Sequence, residues 1–252
     1  ISGTCEGWSF NNAGDKLKLI EIYGGKNHVF KYLKGAFYGC RNLTRMDIPD
    51  ANITNVTSLQ NTLRDCIAMT ICHVENWDTS NVTNMSSTFG MPYGVNTALT
   101  TLDLNTWNVS KVTTFNGMFA EHSTLTYVNL ADWQLNTTSN VDLSAMFCRA
   151  SKVDNLDFSG WNTSKVTSTY IMFYGAGSIT TVDMSGWDTS SLTSTVSMFR
   201  EASKLTSVVS TLNWDVSKIT NFSEMFRGCS LLTTGVDTTN WTFSSTSAIN
   251  FG

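Results

Sequence analysis

A tryptophan-led phrase returns along the chain at nearly constant spacing. One copy reads Trp107-Asn-Val-Ser-Lys-Val-Thr113, and another reads Trp161-Asn-Thr-Ser-Lys-Val-Thr167. Successive tryptophans of the series are 30, 26, 28, 26, 27 and 27 residues apart. A period in this range predicts a solenoid, in which each repeat buries its apolar side only by stacking on its neighbours. The tryptophan series consists of Trp77, Trp107, Trp133, Trp161, Trp187, Trp214 and Trp241.

Each repeat has three recognisable parts. Apolar and polar residues alternate before the tryptophan, as at Leu102 and Leu104, which predicts a short half-buried strand. The Asx and Ser/Thr residues after the tryptophan predict a turn, because their side chains bond to nearby backbone. A pair such as Met118-Phe119, with its phenylalanine twelve residues after the tryptophan in five repeats, predicts one to two turns of helix or a 3-10 turn. The phenylalanine series consists of Phe89, Phe119, Phe147, Phe173, Phe199 and Phe226.

These repeats predict an α/β fold. We expect a leucine-rich-repeat-like, right-handed solenoid of about nine coils, with a parallel sheet on one face and short helices or 3-10 turns on the other. Residues 1–36 are expected to form an N-terminal cap and junction coil, and residues 37–252 one continuous solenoid. Both aromatic series are expected to lie in the core, since they repeat in register with aliphatic positions. Because the chain opens on Ile1-Ser-Gly, we expect a fragment of a longer chain.

Composition and motifs disfavour several classes of function. The net charge is −4 and no run of Lys or Arg occurs, so nothing favours nucleic acid as a partner. No apolar run approaches the roughly 18 residues of a membrane span, so we expect no membrane insertion by this segment. Neither GxSxG, GxGxxG nor HExxH is present, and the repeat itself accounts for most Ser, Thr and Asp. We therefore expect no enzyme activity.

The cysteines do not predict a metal site. No CxxC pair occurs, and His28, His73 and His122 lack the spacing of zinc ligands. Cys40 and Cys66 occupy a repeat position that holds alanine in other copies, which predicts buried free thiols. A bridge between these two, one coil apart, is the alternative.

One segment carries a family resemblance. The stretch Leu102-Asp-Leu-Asn-Thr-Trp-Asn-Val-Ser-Lys-Val-Thr113, with the following Met-Phe pair, resembles the BspA-like leucine-rich repeat of bacterial surface proteins. The same repeat occurs in mycoplasma surface lipoproteins. The resemblance covers about residues 37–251. The opening segment, residues 3–22, resembles the junction seen where such repeats follow an immunoglobulin-like module.

The resemblance implies a function without catalysis. It implies a surface adhesion or recognition module, extracellular and displayed at a cell surface, that binds a protein or carbohydrate on a host or neighbouring cell. The alternative is a virion structural or receptor-binding protein that uses the same repeat, displayed at the virion surface. The family has no shared catalytic residues to transfer to this chain.

The outward position of the predicted strands is the candidate binding site. A column of carboxylates there could bind calcium or a basic partner, since like charges in register repel one another. The alternative is that each side chain bonds to adjacent backbone or is solvated. Apart from calcium at this column, we expect no cofactor. The candidate residues are Asp47, Asp103, Asn129, Asp157 and Asp183.

A column of threonines and the C-terminal end give two further expectations. Ice binding by the threonine column is a minor alternative function, because the column is one residue wide and breaks at Asp142. The sequence stops at Ile249-Asn-Phe-Gly252 without a visible cap, so we expect a continuing chain or a neighbouring subunit there. The column consists of Thr57, Thr83, Thr113, Thr167, Thr193 and Thr220.

Overall fold

The computed structural model describes residues 9–24, 28–154, 156–209, 211–233 and 236–243. Within these ranges the chain is a parallel β-solenoid of about seven coils, a coil being one full winding of the chain. The predicted solenoid is confirmed. The N-terminal part of the junction resemblance (residues 3–8) and the uncapped end (residues 249–252) lie outside the described residues, as does Cys5.

Short parallel strands in two columns define the solenoid. The first column contains seven strands of three residues, at the strand position predicted for successive repeats. In five of them the middle residue is buried against the core. The second column contains the two remaining strands, β6 and β7. In chain order the strands are β1 (Glu21–Tyr23), β2 (Arg45–Asp47), β3 (Ile71–His73), β4 (Thr101–Asp103), β5 (Tyr127–Asn129), β6 (Val141–Asp142), β7 (Val166–Ser168), β8 (Thr181–Asp183) and β9 (Ser207–Val209).

The number of coils is smaller than the nine predicted. No strand forms at residues 156–158, although the alternation of Leu156 and Phe158 predicts one. At this coil Phe158 takes the place of Leu130 in the preceding repeat and Met184 in the next. Its ring lies edge-on against Trp161 and Trp187 at 4.8 and 5.9 Å between centroids. The last predicted strand position falls next to residues 234–235, which are outside the described ranges.

The second column runs along the threonine side of the coils. Parallel bridges link Ser58 to Asn84, Asn84 to Thr114 and Thr114 to Asp142. From Asp142 the pairing of β6 with β7 continues the column to Ser168, and a further bridge joins Ser168 to Ser194. This column therefore passes through six successive coils without a break.

The Met-Phe block is not helical. The N–H groups of Gly117, Phe119 and Glu121 donate to carbonyls of the next coil at 3.0, 2.9 and 2.7 Å. The N–H groups between them, of Met118 and Ala120, bond back three residues within the coil at 2.9 and 3.1 Å. A helix keeps all of these bonds within the segment, so the prediction of a helix or 3-10 turn at this block is wrong. The predicted solenoid fold stands, with lone 3-10 turns as its only helical pieces in the described ranges.

The two 3-10 segments in the described ranges lie elsewhere. They are Lys16–Lys18, just before β1, and Thr211–Asn213, just before Trp214. No α-helix is present in the part of the chain that the structure describes.

Positive φ angles make the consecutive turns of the Met-Phe block possible. From Phe119 to Phe226, the residues two before and two after the column phenylalanine are left-handed, as at Gly117 (φ 63°) and Glu121 (φ 66°). This alternation directs every second N–H group out of the coil and toward the next one. Ile171 occupies such a position with φ 47°, which is costly for a β-branched side chain. The strain shows that stacking dictates the backbone here.

Aromatic columns form the centre of the core. Trp77 and Trp107 stack at 6.2 Å between ring centroids, and Trp133 and Trp161 stack at 5.9 Å. The seven indoles are each at most 8% exposed. In five of them the indole N–H donates to a carbonyl of the coil before, for example from Trp133 to Leu104 at 2.8 Å. The phenylalanines from Phe89 to Phe226 stack in the same way, at 5.2 to 5.9 Å.

Candidate binding surfaces

The first column of strands presents an exposed surface, which we call the strand face. It consists of the first and third residues of β1 to β5, β8 and β9, because successive side chains of a strand point to opposite sides. Four large apolar side chains on it are exposed: Tyr23 (62%), Ile71 (38%), Tyr127 (43%) and Val209 (39%). Charged and amide side chains lie between them. The face therefore combines aromatic, aliphatic and charged groups, as protein interfaces do.

Asp47 is the one candidate residue that takes part in a charged cluster of the strand face. Its carboxylate accepts hydrogen bonds from the Arg45 guanidinium, with Nε at 3.1 Å, and lies 2.9 Å from Nδ1 of His73. The Arg45 hydrogen bond is the main reason that the pKa of Asp47 is lowered, and the His73 bond adds to it. The Arg45 guanidinium also lies 5.4 Å from the ring centroid of Tyr23. This cluster joins β1, β2 and β3.

The other four candidates bond to their own backbone. In each, the side-chain oxygen accepts the N–H of the residue two positions further on, which is an Asx turn. The distances are 3.1 Å for Asp103, 2.9 Å for Asp157, 2.8 Å for Asp183 and 3.4 Å for Asn129. The N–H of Ser159 is the main reason that the pKa of Asp157 is lowered. These oxygens help to shape the corner after each strand and keep further lone pairs for a ligand.

The candidates do not form a continuous row of carboxylates. Strand register places Asp47 beside His73, Asp103 beside Asn129, and Asp183 beside Val209. Asp157 lies in the coil without a first-column strand. No group of three or more His, Cys, Asp or Glu side chains that could hold a metal occurs in the described ranges. Calcium binding at this column stays a prediction.

A cleft interrupts the strand face between β3 and β4. The hydrogen-bonded sheet stops at β3 and restarts at β4, whereas the second column continues through the same coils. The cause is visible in the sequence. The middle residue of β5, Val128, follows Phe119 by nine residues, whereas the middle residue of β4, Leu102, follows Phe89 by thirteen. The cleft has a volume of about 330 Å³ and is lined by residues 70–73, Glu75, Thr101 and Asp103.

The threonine column uses its hydroxyl groups within the protein. The Thr83 hydroxyl donates to the Thr57 carbonyl at 3.2 Å, and the Thr113 hydroxyl donates to the Thr83 carbonyl at 3.1 Å. Thr193 makes the same bond to Thr167 at 2.9 Å. Each of these threonines therefore ties its own coil to the preceding one, in addition to the backbone bonds.

Sequence reasoning overlooked a second exposed surface, the arginine–tyrosine edge (Tyr93, Glu121, Arg149, Tyr174 and Arg200). The Arg149 guanidinium lies 4.3 Å from the ring centroid of Tyr93 and 4.7 Å from that of Tyr174. It also bonds to Glu121 at 3.4 Å and donates to the Tyr174 hydroxyl at 3.1 Å. Arg200 lies 5.4 Å from the Tyr174 ring.

A signal for this edge is present in the sequence. Four of the six arginines fall within two residues after the column phenylalanine or its leucine equivalent: Arg64, Arg149, Arg200 and Arg227. In the structure Arg200 and Arg227 both pair with Glu224. Because the guanidinium groups of Arg149, Arg200 and Arg227 already have carboxylate partners from their own or neighbouring coils, the edge braces the stack and offers little unpaired charge.

The buried titratable groups are unsuited to catalysis. Cys40 and Cys66 are free thiols, and burial raises the pKa of Cys40 to about 12. The Cys66 thiol donates to the Phe37 carbonyl of the preceding coil at 3.2 Å. His122 lies in the core, where its Nε2 donates to the Phe89 carbonyl at 2.8 Å and desolvation lowers its pKa to about 4. These groups are weak nucleophiles or bases away from any surface.

Stacked coils with aromatic columns inside and a varied strand face outside define a parallel β-solenoid repeat protein. A family model described as "Mycoplasma protein of unknown function, DUF285" matches residues 31–153, 93–212 and 141–251. These matches together span most of the chain, which belongs to this family. Neither a curated protein nor a solved structure matches the chain. No helix in the described ranges is long and apolar enough to cross a membrane.

Proposed function

We propose that the chain is a non-catalytic recognition module, displayed outside the cell, that binds a protein partner through the strand face. The observation that carries the proposal is the exposure of Tyr23, Ile71, Tyr127 and Val209 on one surface, with charged side chains between them. Aromatic residues are enriched in protein interfaces, whereas scattered exposure of single apolar residues needs no explanation. Here the four lie on one face of the solenoid, in β1, β3, β5 and β9.

Membership of a mycoplasma family supports a recognition role in a coarse sense. The finer assignment, to BspA-like adhesins, is part of this proposal and rests on the repeat phrase itself. The candidate residues Asp47, Asp103, Asn129, Asp157 and Asp183 would then contribute polar contacts at the rim of the apolar side chains. A solenoid suits this role, because stacked repeats create an extended surface in which each coil contributes different outward residues.

Flow cytometry with fluorescently labelled protein tests the proposal on intact animal epithelial cells. We expect the native chain to bind, and we expect prior trypsin treatment of the cells to remove the binding because the partner is a protein. The double variant Tyr23→Ser/Tyr127→Ser should lose at least about tenfold in affinity, as aromatic anchors carry much of an interface's binding energy.

The matched control is the double variant Tyr32→Ser/Tyr170→Ser. Both tyrosines are exposed to a similar or greater extent, at 72% and 46%, but lie off the strand face. This control should bind as the native chain does. Equal affinity of the two double variants, or no binding by the native chain, would contradict the proposal.

A further inference from the structure

The cleft between β3 and β4 exposes main-chain groups on its β3 side. Ile71 and His73 hold β3 to β2: the Ile71 N–H donates to the Thr44 carbonyl at 3.3 Å, and the His73 carbonyl accepts from Ile48 at 3.2 Å. Successive residues of a strand direct their N–H and C=O groups to opposite sides. The main-chain groups of Cys72 therefore point toward β4.

The β4 side of the cleft has the complementary arrangement. Bonds from β4 to β5 are made by the Thr100 carbonyl, at 2.8 Å, and by the Leu104 N–H, at 3.1 Å. The main-chain groups of Thr101 and Asp103 consequently point toward β3. No strand pairing joins β3 and β4 in the part of the chain that the structure describes. Two open sheet edges thus face each other, and an open edge is a template for an added strand.

Contacts between the two coils hold together the corner beyond the C-terminal ends of β3 and β4. The Trp107 indole N–H donates to the Val74 carbonyl at 3.0 Å, directly beyond the end of β3. The stacked rings of Trp77 and Trp107 join the same two coils. Because the corner beyond the strands is held together, the missing pairing is confined to the strand face.

The side chains of the cleft are acidic and apolar. Glu75 and Asp103 contribute carboxylates from opposite walls, and no lysine or arginine lines the cleft among the residues that the structure describes. His73 directs its Nδ1 to Asp47, within the strand face. Ile71 and Cys72 supply apolar surface. An aliphatic stem that ends in a positive charge matches this combination, since such side chains lay the stem on apolar surface and keep the charge at a polar site.

We propose that the cleft binds one extended segment of a protein partner that carries a lysine or arginine side chain. The segment lies in the cleft in an extended conformation, so that its backbone bonds to the open main-chain groups and its basic side chain lies between Glu75 and Asp103. Recognition by strand addition takes affinity from main-chain bonds and specificity from side chains. This inference rests on the proposed function, because it names the chemistry of the partner that the strand face recognises.

Short peptides and NMR titration of the native chain test this inference. The probe is an acetylated and amidated pentapeptide, Thr-Val-Lys-Val-Thr, and one comparison peptide has glutamate in place of lysine. A second comparison peptide carries N-methyl groups on the two valine nitrogens, which removes backbone donors. We expect the lysine peptide to bind at least about tenfold more tightly than either comparison peptide, with amide shifts centred on Cys72, Thr101 and Asp103.

Amide variants separate charge recognition from folding. Glu75→Gln/Asp103→Asn keeps the oxygen of Asp103 that accepts the Asn105 N–H, so the corner is preserved. This variant should lower the affinity for the lysine peptide at least about fivefold. The control Asp183→Asn changes the equivalent position of β8, which pairs with β9 and borders no cleft, and should leave the affinity unchanged.

Three results would overturn the inference: equal affinity for the lysine and glutamate peptides, no loss of affinity on N-methylation, or amide shifts centred elsewhere in the solenoid. Failure here is distinguishable from failure of the proposed function. If the chain binds cells through Tyr23 and Tyr127 but does not bind the lysine peptide, the cleft proposal fails and the recognition role stands. If the chain binds the peptide but binds no cell, the cleft proposal stands and the proposed surface role fails.

Discussion

The threonine column and the strand face belong to the same coils but differ in how much their sequence varies. The column repeats one residue type, and hydroxyls such as those of Thr83, Thr113 and Thr193 donate to a carbonyl of the coil before. The third position of the strands instead holds Tyr, Asp, His, Asp, Asn, Asp and Val in turn. Repetition therefore marks side chains that bond to the backbone of the neighbouring coil, and variation marks the side chains of the strand face.

The test with the largest expected effect removes an aromatic ring from the phenylalanine column of the core. Phe147 is fully buried and stacks on Phe119 at 5.2 Å and on Phe173 at 5.9 Å. Phe147→Ala should lower the free energy of unfolding by about 3–5 kcal/mol, because it leaves a cavity within the column. Urea denaturation followed by tryptophan fluorescence measures the loss.

Phe226 is the matched control at the end of the described column. Its ring is only partly buried and stacks on Phe199 at 5.5 Å. Phe226→Ala should cost less than half as much as Phe147→Ala. Equal losses would show that the coils do not depend on their neighbours in the way that stacking requires.

A second test uses pH and the buried His122. Its pKa is lowered to about 4 by desolvation, whereas an unfolded histidine titrates near its ordinary value of 6.5. The unfolded chain therefore binds the proton first as the pH falls. Stability should be complete above pH 6.5 and should decrease by about 3 kcal/mol as the pH falls to about 4.

Urea midpoints measured from pH 7.5 to 4 check this expectation. The variant His122→Gln has no titrating group at this position and should show a much flatter profile. A native profile without a decrease in this window would contradict the assignment.

A third test relieves strain that stacking imposes. Ile171 has a left-handed backbone, and asparagine adopts that conformation at lower cost than a β-branched residue. Ile171→Asn should raise the free energy of unfolding by about 1 kcal/mol. Gly175→Ala, at the other left-handed position of the same coil (φ 66°), should lower it by a similar amount. Changes of the same sign in both variants would show that backbone strain does not govern these positions.

The smallest test compares the two exposed columns directly. Thr113→Val removes a hydroxyl bond to the preceding coil and should cost about 0.5–1 kcal/mol. Thr101→Val changes an exposed threonine of the strand face whose hydroxyl makes no such bond, and stability should stay the same or rise slightly. If the two variants lose equal stability, the repeated threonines have no special role in stacking.

Much of the fold was predictable because stacking requires a similar residue at the same position of each repeat. The strand positions at Met46, Leu102, Val128 and Val182 follow from alternation alone. The absence of a helix at the Met-Phe block could not be predicted from the sequence, since Met and Phe suit a helix as well as a buried turn. Only the bonds between coils, which depend on three-dimensional alignment, determine that alternate N–H groups leave the segment.

The candidate surfaces were predictable only in part. The outward residues Asp103 and Asp183 were identified, but the turns that their oxygens stabilise depend on local backbone geometry. The cleft beside β4 had a sequence signal, the four extra residues after Phe89, whose effect on the sheet could not be inferred without the structure. The contact of Arg149 with Tyr93 joins residues two coils apart and has no counterpart in the repeat.

The alternating bonds of the Met-Phe block also give the molecule an electrical polarity. In one coil the carbonyls of Gln60 and Thr62 accept from the coil before, and the N–H groups of Asn61 and Leu63 donate to the coil after. These peptide dipoles add along the axis as they do in a helix, but with the positive pole toward the C-terminal coils. Molecules joined end to end through this block would therefore associate head to tail, and an anion would favour the end near Phe226.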